Sequence, residues 1–441
     1  MKLDYQSHQP LQANENASMN QKSPSLNQPP ALFVGIDWAD QKHDCHIIDA
    51  KGNQFAVELT QKPAAINQWI ADMTEKAGGG KIAIMLEQSK GALIHALMFR
   101  ENIVLYPINP KQLARYRESY PGGDGKSDPT DAMYLARLLR ERIDTLKAWL
   151  PDDEQTRLLN RLCEQRRFVV GNQTKLRQQL ISVLKQYFPV VLELFGKTHQ
   201  LELLLAVLKR WSDPRQLRRA DRRLIVRVLR EQGIRNEERH NEMIDAIRRS
   251  PLLCDDAALI TPMSMTAKHL ALQIESSVKT IAQFDQQISE TFKTHDDAHL
   301  FSSLRGAGPT LAPRLLCAFG SQRDRWSDAD ELASFSGIAP ITRQSGKQRH
   351  VRRRYACPKY LRQTFHEFAS AARTWCPWTK ARYQMLRAGG MKHHAALRKL
   401  ARSWIRILYR VWQTRIPFDC DRYIETLKRR LPEIIPCLEN P

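Results

Sequence analysis

Two apolar runs, Ala31-Leu-Phe-Val-Gly-Ile-Asp37 and Lys81-Ile-Ala-Ile-Met-Leu-Glu87, each end on a carboxylate. Short unbroken runs of this kind form buried strands, so each places an acid, Asp37 or Glu87, at a strand end. Between them, His46-Ile-Ile-Asp49, the turn Lys51-Gly-Asn53 and Gln54-Phe-Ala-Val-Glu-Leu59 read as an antiparallel hairpin, with a helix after it. A helix from about Ala92 to Asn102 and a strand Ile103-Val-Leu-Tyr-Pro107 complete the series. A hairpin followed by alternating helices and strands predicts an α/β domain with a mixed sheet. In such sheets functional groups gather beyond the carboxyl ends of the strands, where Asp37 and Glu87 fall.

The next stretch, Lys126-Ser-Asp-Pro-Thr-Asp-Ala132, reads as a helix start. Asp128 is the expected N-cap and Pro129 the first helical residue, followed by Met133, Leu135, Ala136, Leu138 and Leu139 at helical spacing. Asp128 and Asp131 then share one face. Taken alone they could simply cap the helix and complement its dipole. Together with Asp37 and Glu87 they make four carboxylates, which repel one another unless cations sit among them, and hard oxygen ligands suit Mg²⁺ or Mn²⁺. That set points to metal-assisted phosphoryl chemistry.

Charge identifies the partner class. A net charge of +21 and an isoelectric point near 9.8 imply a polyanion, most economically nucleic acid. No apolar stretch is long enough to span a bilayer and no signal-peptide core is present, so the expected location is cytoplasmic, at the nucleoid. The eight cysteines are scattered without a Cys-x-x-Cys pair, which predicts neither a disulfide framework nor a zinc site. Residues 1 to about 30, rich in Gln, Asn, Ser and Pro, read as a disordered tail. An α/β domain is expected over 31–150, a helical middle over 151–297 and a mainly helical third region over 298–441.

In the middle region Leu162, Val169, Leu176 and Val183 recur every seven residues, and Ala267, Ile274, Ile281 and Ile288 repeat the pattern later. Two such seams predict an antiparallel coiled-coil arm that pairs within or between chains. Between them lies an arginine-dense segment in which Arg218, Arg219, Arg222 and Arg223 are candidate phosphate contacts, with a solvated helix face as the plain alternative. The third region opens with Gly306-Ala-Gly308, a turn that can hold a phosphate or merely cap a helix. It continues to Ser345-Gly346, flanked by Arg343, Lys347, Arg349, Arg352, Arg353 and Arg354 with no acid among them. A hydroxyl there sits in a strongly positive field, although Ser-Gly is also an ordinary surface turn. Helices rich in Trp, Tyr and Arg follow, fit either to face nucleic acid or to pack as a layer.

On the motifs Gly35-Ile-Asp37, Leu86-Glu87, Asn109-Pro110 with Lys126-Ser-Asp-Pro-Thr-Asp-Ala132, Gly306-Ala-Gly308, and Gly337-Ile-Ala-Pro340 with Gln344-Ser-Gly346, the chain resembles the DEDD-type insertion-sequence transposases. That family is related to the Piv DNA invertases and described as bridge-RNA-guided recombinases. The resemblance covers nearly everything after residue 30. It implies a RuvC-like (RNase H fold) N-terminal domain, a coiled-coil middle and a helical C-terminal transposase domain. It carries Asp37, Glu87, Asp128 and Asp131 over as metal ligands and Ser345 as nucleophile, with Ser334 and Ser336 as nearby alternatives. The implied partners are donor and target DNA, a non-coding bridge RNA and further copies of the chain, as a dimer or tetramer. Where the family often has a glycine-rich stretch after the serine, this chain has Arg352-Arg-Arg-Tyr-Ala-Cys-Pro-Lys-Tyr360. The rival readings are a RuvC-like junction nuclease that uses a metal-bound water, and a non-catalytic nucleic-acid scaffold.

Overall fold

The computed structural model describes residues 29–87, 91–120, 127–197, 200–346 and 348–439. The expected tail, apart from Pro29 and Pro30, lies outside these residues, as do Lys126, Lys347 and the side chain of Arg349. The chain divides into two units, Met1–Pro151 and Asp152–Pro441.

The first unit is built as β1 (Leu32–Asp37), β2 (Lys42–Asp49), β3 (Gln54–Thr60), α1 (Pro63–Lys76), β4 (Ile82–Leu86), α2 (Ala92–Leu97), β5 (Ile103–Pro107), α3 (Pro110–Arg117) and α4 (Asp128–Arg142). Its strands form one mixed sheet in the order β3-β2-β1-β4-β5. The β1, β2 and β3 strands are antiparallel neighbours, whereas β4 and β5 run parallel to β1. Alternation along the strands sorts side chains between two cores. Leu32, Val34 and Ile36 pack with Ile66, Trp69 and Leu93 from α1 and α2. Phe33, Ala83, Met85 and Tyr106 pack with Leu113, Tyr134, Leu135 and Leu139 from α3 and α4 on the other face.

Three boundaries differ from the sequence reading. The β2 strand begins at Lys42 rather than His46, because its first half, Lys42-His-Asp-Cys45, alternates exposed and buried positions and lacks an apolar run. The α2 helix stops at Leu97 instead of reaching Asn102. Ser127, with extended backbone at φ −146° and ψ 150°, takes the N-cap of α4, so Asp128 already lies within the helix.

The α4 helix crosses β1 at Gly35. A methyl on Gly35 would overlap the Ala132 carbonyl oxygen and the Ala136 amide nitrogen, so the helix rests almost directly on the strand backbone.

The second unit begins with α5 (Glu154–Tyr187), α6 (Pro189–Phe195), α7 (Leu201–Arg210), α8 (Pro214–Arg219), α9 (Arg222–Glu231), α10 (Glu237–Arg249) and α11 (Ala257–Lys293). It continues through α12 (Ala298–Ser302), α13 (Gly308–Phe319), α14 (Ala329–Phe335), the hairpin β6 (Ile341–Ser345) and β7 (Gln348–Arg352), α15 (Lys359–Trp375), α16 (Pro377–Ala388), α17 (His393–Thr414), α18 (Cys420–Arg430) and α19 (Ile435–Glu439). The hairpin was not foreseen in a region read as helical.

The long helices α5 and α11 pair within the chain and run antiparallel. Gln155 near the start of α5 donates to Thr294 just past the end of α11 at 2.7 Å, and Arg166 pairs with Asp285 at 2.5 Å. Their ends enter two separate apolar cores. Leu180 and Leu184 join Ala267 and Ile274 in the core built with α6 to α10, while Leu159, Cys163, Ile288 and Phe292 join the C-terminal helices. Between the cores the heptad residues Val169, Leu176 and Ile281 are only half-buried, because two helices alone cannot cover a seam on all sides.

In the C-terminal core Trp378, Trp404 and Trp412 are fully buried, so these aromatics form a packed layer rather than a nucleic-acid face. Gly306, at φ 92°, lies so close to the backbone of Ala371 and Ala372 that a side chain there would collide with α15. No helix among the described residues is long and apolar enough to cross a membrane.

If the approach of α4 to β1 sets the first unit, Gly35→Ala will destabilise it by about 1–3 kcal/mol or more through overpacking. Urea unfolding followed by far-UV circular dichroism measures this, and a midpoint unchanged from the parent would contradict the packing described.

Candidate active site and nucleic-acid surfaces

Parity places the acids of the sheet on the α4 face. Asp37 is two residues beyond Gly35 and four beyond Phe33, and Glu87 follows Ala83 and Met85 in the same alternation. Because β1 and β4 are adjacent and parallel, with Ile36 beside Leu86, both carboxylates emerge at one end of the sheet. The crossing at Gly35 brings the start of α4, with Asp128 and Asp131, over the same strands. Asp128 is exposed, Asp37 and Glu87 are half-buried, and Asp131 is buried.

Asp131 is held by Arg117, the last residue of α3, whose Nη1 donates to Oδ1 at 2.5 Å with both side chains largely buried. The Nε of Arg117 is buried without a hydrogen-bond partner among the described residues. Asn109 starts the helix that delivers Arg117 by accepting from the Lys111 amide at 3.0 Å, with Pro110 in the first turn. The Asn109-Pro110 motif is thus a helix cap.

A fifth carboxylate was missed in the sequence. Asp44 lies directly opposite Asp37 across the β1–β2 pair and opposite Glu58 across β2–β3, making a row of three acids on one face. Burial, then repulsion from Asp128 and Glu58, raises the Asp44 carboxyl above its usual range. Glu58 is balanced by Lys42 at 2.6 Å. Only knowledge of the strand register could have revealed this row, because β2 begins in a polar stretch.

An all-carboxylate donor set suits a hard divalent cation. Among the described residues, however, no group of three or more His, Cys, Asp or Glu is close enough to hold a metal ion. The acids share an end of the sheet, and Asp131 is committed to Arg117.

In the second unit Ser345 ends β6 and is exposed at the hairpin tip beside Gly346, which adopts φ 54°. Ser336 is buried with its hydroxyl donating to the Ala333 carbonyl at 3.3 Å, and Ser334 is half-buried at the end of α14. Arg343, Arg352 and Arg353 are exposed on or beside the hairpin, and Arg354 is half-buried. The arginine-dense segment forms two short helices. Arg218 donates to the Arg248 carbonyl at 3.3 Å, and Arg222 donates to Asn241 at 2.8 Å. Arg223, Arg227 and Arg230 are exposed at helical spacing on α9, opposite the buried Ile225, Val228 and Leu229.

Residues 34–189 match a DEDD-type IS110 family model described as Transposase, and residues 298–384 match one described as Transposase IS116/IS110/IS902 family. The protein named for the transposase of the IS117 mini-circle of Streptomyces coelicolor is 29% identical over 401 residues, covering 89% of this chain and 96% of its own length. The 43.6 kDa protein of insertion element IS110 from the same organism is 24% identical, covering 86% of this chain and 93% of its own length. The 42 kDa protein of IS900 from Mycobacterium paratuberculosis is 25% identical, with 86% and 94% coverage. The chain is a transposase, an enzyme that cuts and joins DNA. Within that class it belongs to the IS110/IS116 family of DEDD transposases.

Two expectations come from this geometry. Asp131→Ala will strand the buried Arg117 guanidinium and cost about 3–5 kcal/mol, whereas the half-buried Asp37 tolerates Asp37→Ala with a much smaller loss. Thermal unfolding of the two variants compares them, and equal melting temperatures would show that the ion pair contributes little. On α9, replacing Arg223, Arg227 and Arg230 together by Gln will flatten the dependence of DNA affinity on salt, by roughly one unit of log–log slope for each phosphate left without its arginine. Replacing Arg218 and Arg222, each of which already donates a bond to a neighbour, will change it less. Anisotropy titrations at several salt concentrations decide between the two sets.

Proposed function

We propose that this transposase breaks and rejoins DNA through a covalent phosphoserine link made by Ser345, with Asp37, Glu87, Asp128 and Asp131 as the acidic site for Mg²⁺ or Mn²⁺. The observation that carries the serine assignment is exposure. Of Ser334, Ser336 and Ser345, only Ser345 presents its hydroxyl at an open tip, flanked by arginines and by no acid in the hairpin. The sheet order, with three antiparallel strands and two more parallel to the first, supports an RNase H-type, RuvC-like reading of the first unit.

In this mechanism the Ser345 Oγ forms a bond to phosphorus as the phosphorus bond to a sugar oxygen breaks, and the departing oxygen takes up a proton. The hydroxyl proton of Ser345 is lost to solvent. Serine is a weak nucleophile at its ordinary pKa, so the surrounding guanidiniums favour its alkoxide and offset the charge building on the phosphate. A phosphoserine ester conserves the energy of the broken bond for rejoining. Asp37, Glu87 and Asp128 would hold the divalent ion, with Asp131 kept at the start of α4 by Arg117. A bound ion would supply Lewis-acid polarisation of a phosphate oxygen. Arg117 meanwhile balances the buried Asp131 charge and keeps that side chain in place. The α9 arginines and the hairpin supply sequence-independent phosphate contacts, and choice of target passes to a bridge RNA.

Ser345→Ala tests the reading. An exposed position tolerates the change within about half a kcal/mol, so folding and DNA binding persist while covalent capture disappears. Denaturing gels of protein incubated with labelled DNA show an adduct for the parent and none for the variant. Cleavage to free ends by Ser345→Ala, with no adduct from either protein, would replace the serine with attack by water at the acidic site.

A further inference from the structure

We infer that the α15–α17 face of the second unit is a binding site for the phosphate backbone of DNA, formed by Arg353, Arg362, His366, His393, His394 and Arg398. Two packed helices assemble it. Arg362 and His366 stand one turn apart on α15, and His394 and Arg398 stand one turn apart on α17. The rings of His366 and His394 lie 5.4 Å apart, and those of His394 and His393 4.9 Å apart, joining the two rows. Arg353 enters from the end of the hairpin, its guanidinium over Tyr355 at 5.6 Å, and Arg362 donates to the Arg354 carbonyl at 3.5 Å.

The three guanidiniums, with three imidazoles among them, have no balancing acid. Among the described residues none of the six is ion-paired to a carboxylate, and Glu367, next to His366 on α15, is occupied by Arg314 at 2.7 Å. Burial and then the neighbouring Arg353 and Arg362 hold Arg398 below the usual guanidinium range. Burial and then His394, Arg398 and His393 depress His366. The same helix supplies the contrast. One and two turns beyond Arg398, Arg402 and Arg406 share Asp330, each at 3.1 Å. A surface that merely carried solvated arginines would gain nothing by crowding three of them and three histidines. A phosphodiester placed there converts mutual repulsion into charge-assisted hydrogen bonds. His394 and Arg353 are exposed and the other four half-exposed, so the site is open to a large ligand.

DNA is the committed ligand because the chain belongs to a family of DNA transposases, and the inference does not rest on Ser345. The test measures the salt dependence of affinity for a random-sequence duplex DNA, with a single-stranded RNA in parallel. Arg362→Gln combined with Arg398→Gln is expected to reduce the log–log slope for DNA by roughly two, whereas Arg402→Gln combined with Arg406→Gln leaves it as in the parent. Arg353→Gln, at an exposed position outside any helix, is expected to reduce the slope by roughly one and serves if the paired variant fails to fold. An unchanged slope in Arg353→Gln or in the folded Arg362 and Arg398 variant overturns the site. So does an equal loss in the Arg402 and Arg406 control, or a loss confined to RNA. Adduct formation at saturating DNA separates this inference from the serine reading. A failed slope test with a normal adduct removes the phosphate site alone, and absence of an adduct from the parent removes the serine alone.

Discussion

The contact on which the first unit depends is that of α4 with the backbone of β1 at Gly35. A helix that rests on a strand at this distance transmits its position directly. Its first turn then lies beyond the carboxyl ends of β1 and β4, and Asp128 and Asp131 overlie the strands that carry Asp37 and Glu87. Any side chain at Gly35 would lift α4 and move two carboxylates away from the other two. The gathering of these acids at one end of the sheet is therefore a consequence of a steric contact between neutral groups.

Electrostatics acts within that frame. A buried carboxylate is costly without a partner, and Arg117 supplies one to Asp131 from the end of α3. Asp44 has no such partner in contact among the described residues, and burial, then the neighbouring Asp128 and Glu58, raise its carboxyl above the usual range. This end of the sheet thus holds one acid balanced by a buried guanidinium and one, Asp44, whose ionisation its surroundings oppose.

The second unit separates packing from charge in the same way. The α5 and α11 helices tie two apolar cores together, and their half-buried stretch between the cores follows from pairing two helices without a third. Arginines on this unit fall into two kinds. Arg166, Arg314, Arg402 and Arg406 meet carboxylates and belong to the fold. Arg223, Arg227 and Arg230 on α9, and the cluster between α15 and α17, meet none among the described residues and face outward. Counting charges in a sequence cannot separate the two kinds.

By itself the sequence determined the strands that bury completely, because unbroken apolar runs have few other solutions, and with them the placement of Asp37 and Glu87 at strand ends. It also determined the start of α4 to within one residue, since Pro129 restricts the backbone there. The heptad periods of α5 and α11 were legible for the same local reason, as was the basic surround of Ser345. Other features came only with tertiary structure. Asp44 joins the acids through strand register, Arg117 reaches Asp131 from fourteen residues away, and His366 meets His394 across two helices far apart in the chain. The hairpin that exposes Ser345 carries only Ile341 and Val351 as apolar residues and gave no hydrophobic period to read. Local propensity and periodicity act over a few residues and are written in the sequence directly. Register, ion pairing and helix crossing depend on which surfaces meet, and the packed backbone alone decides that.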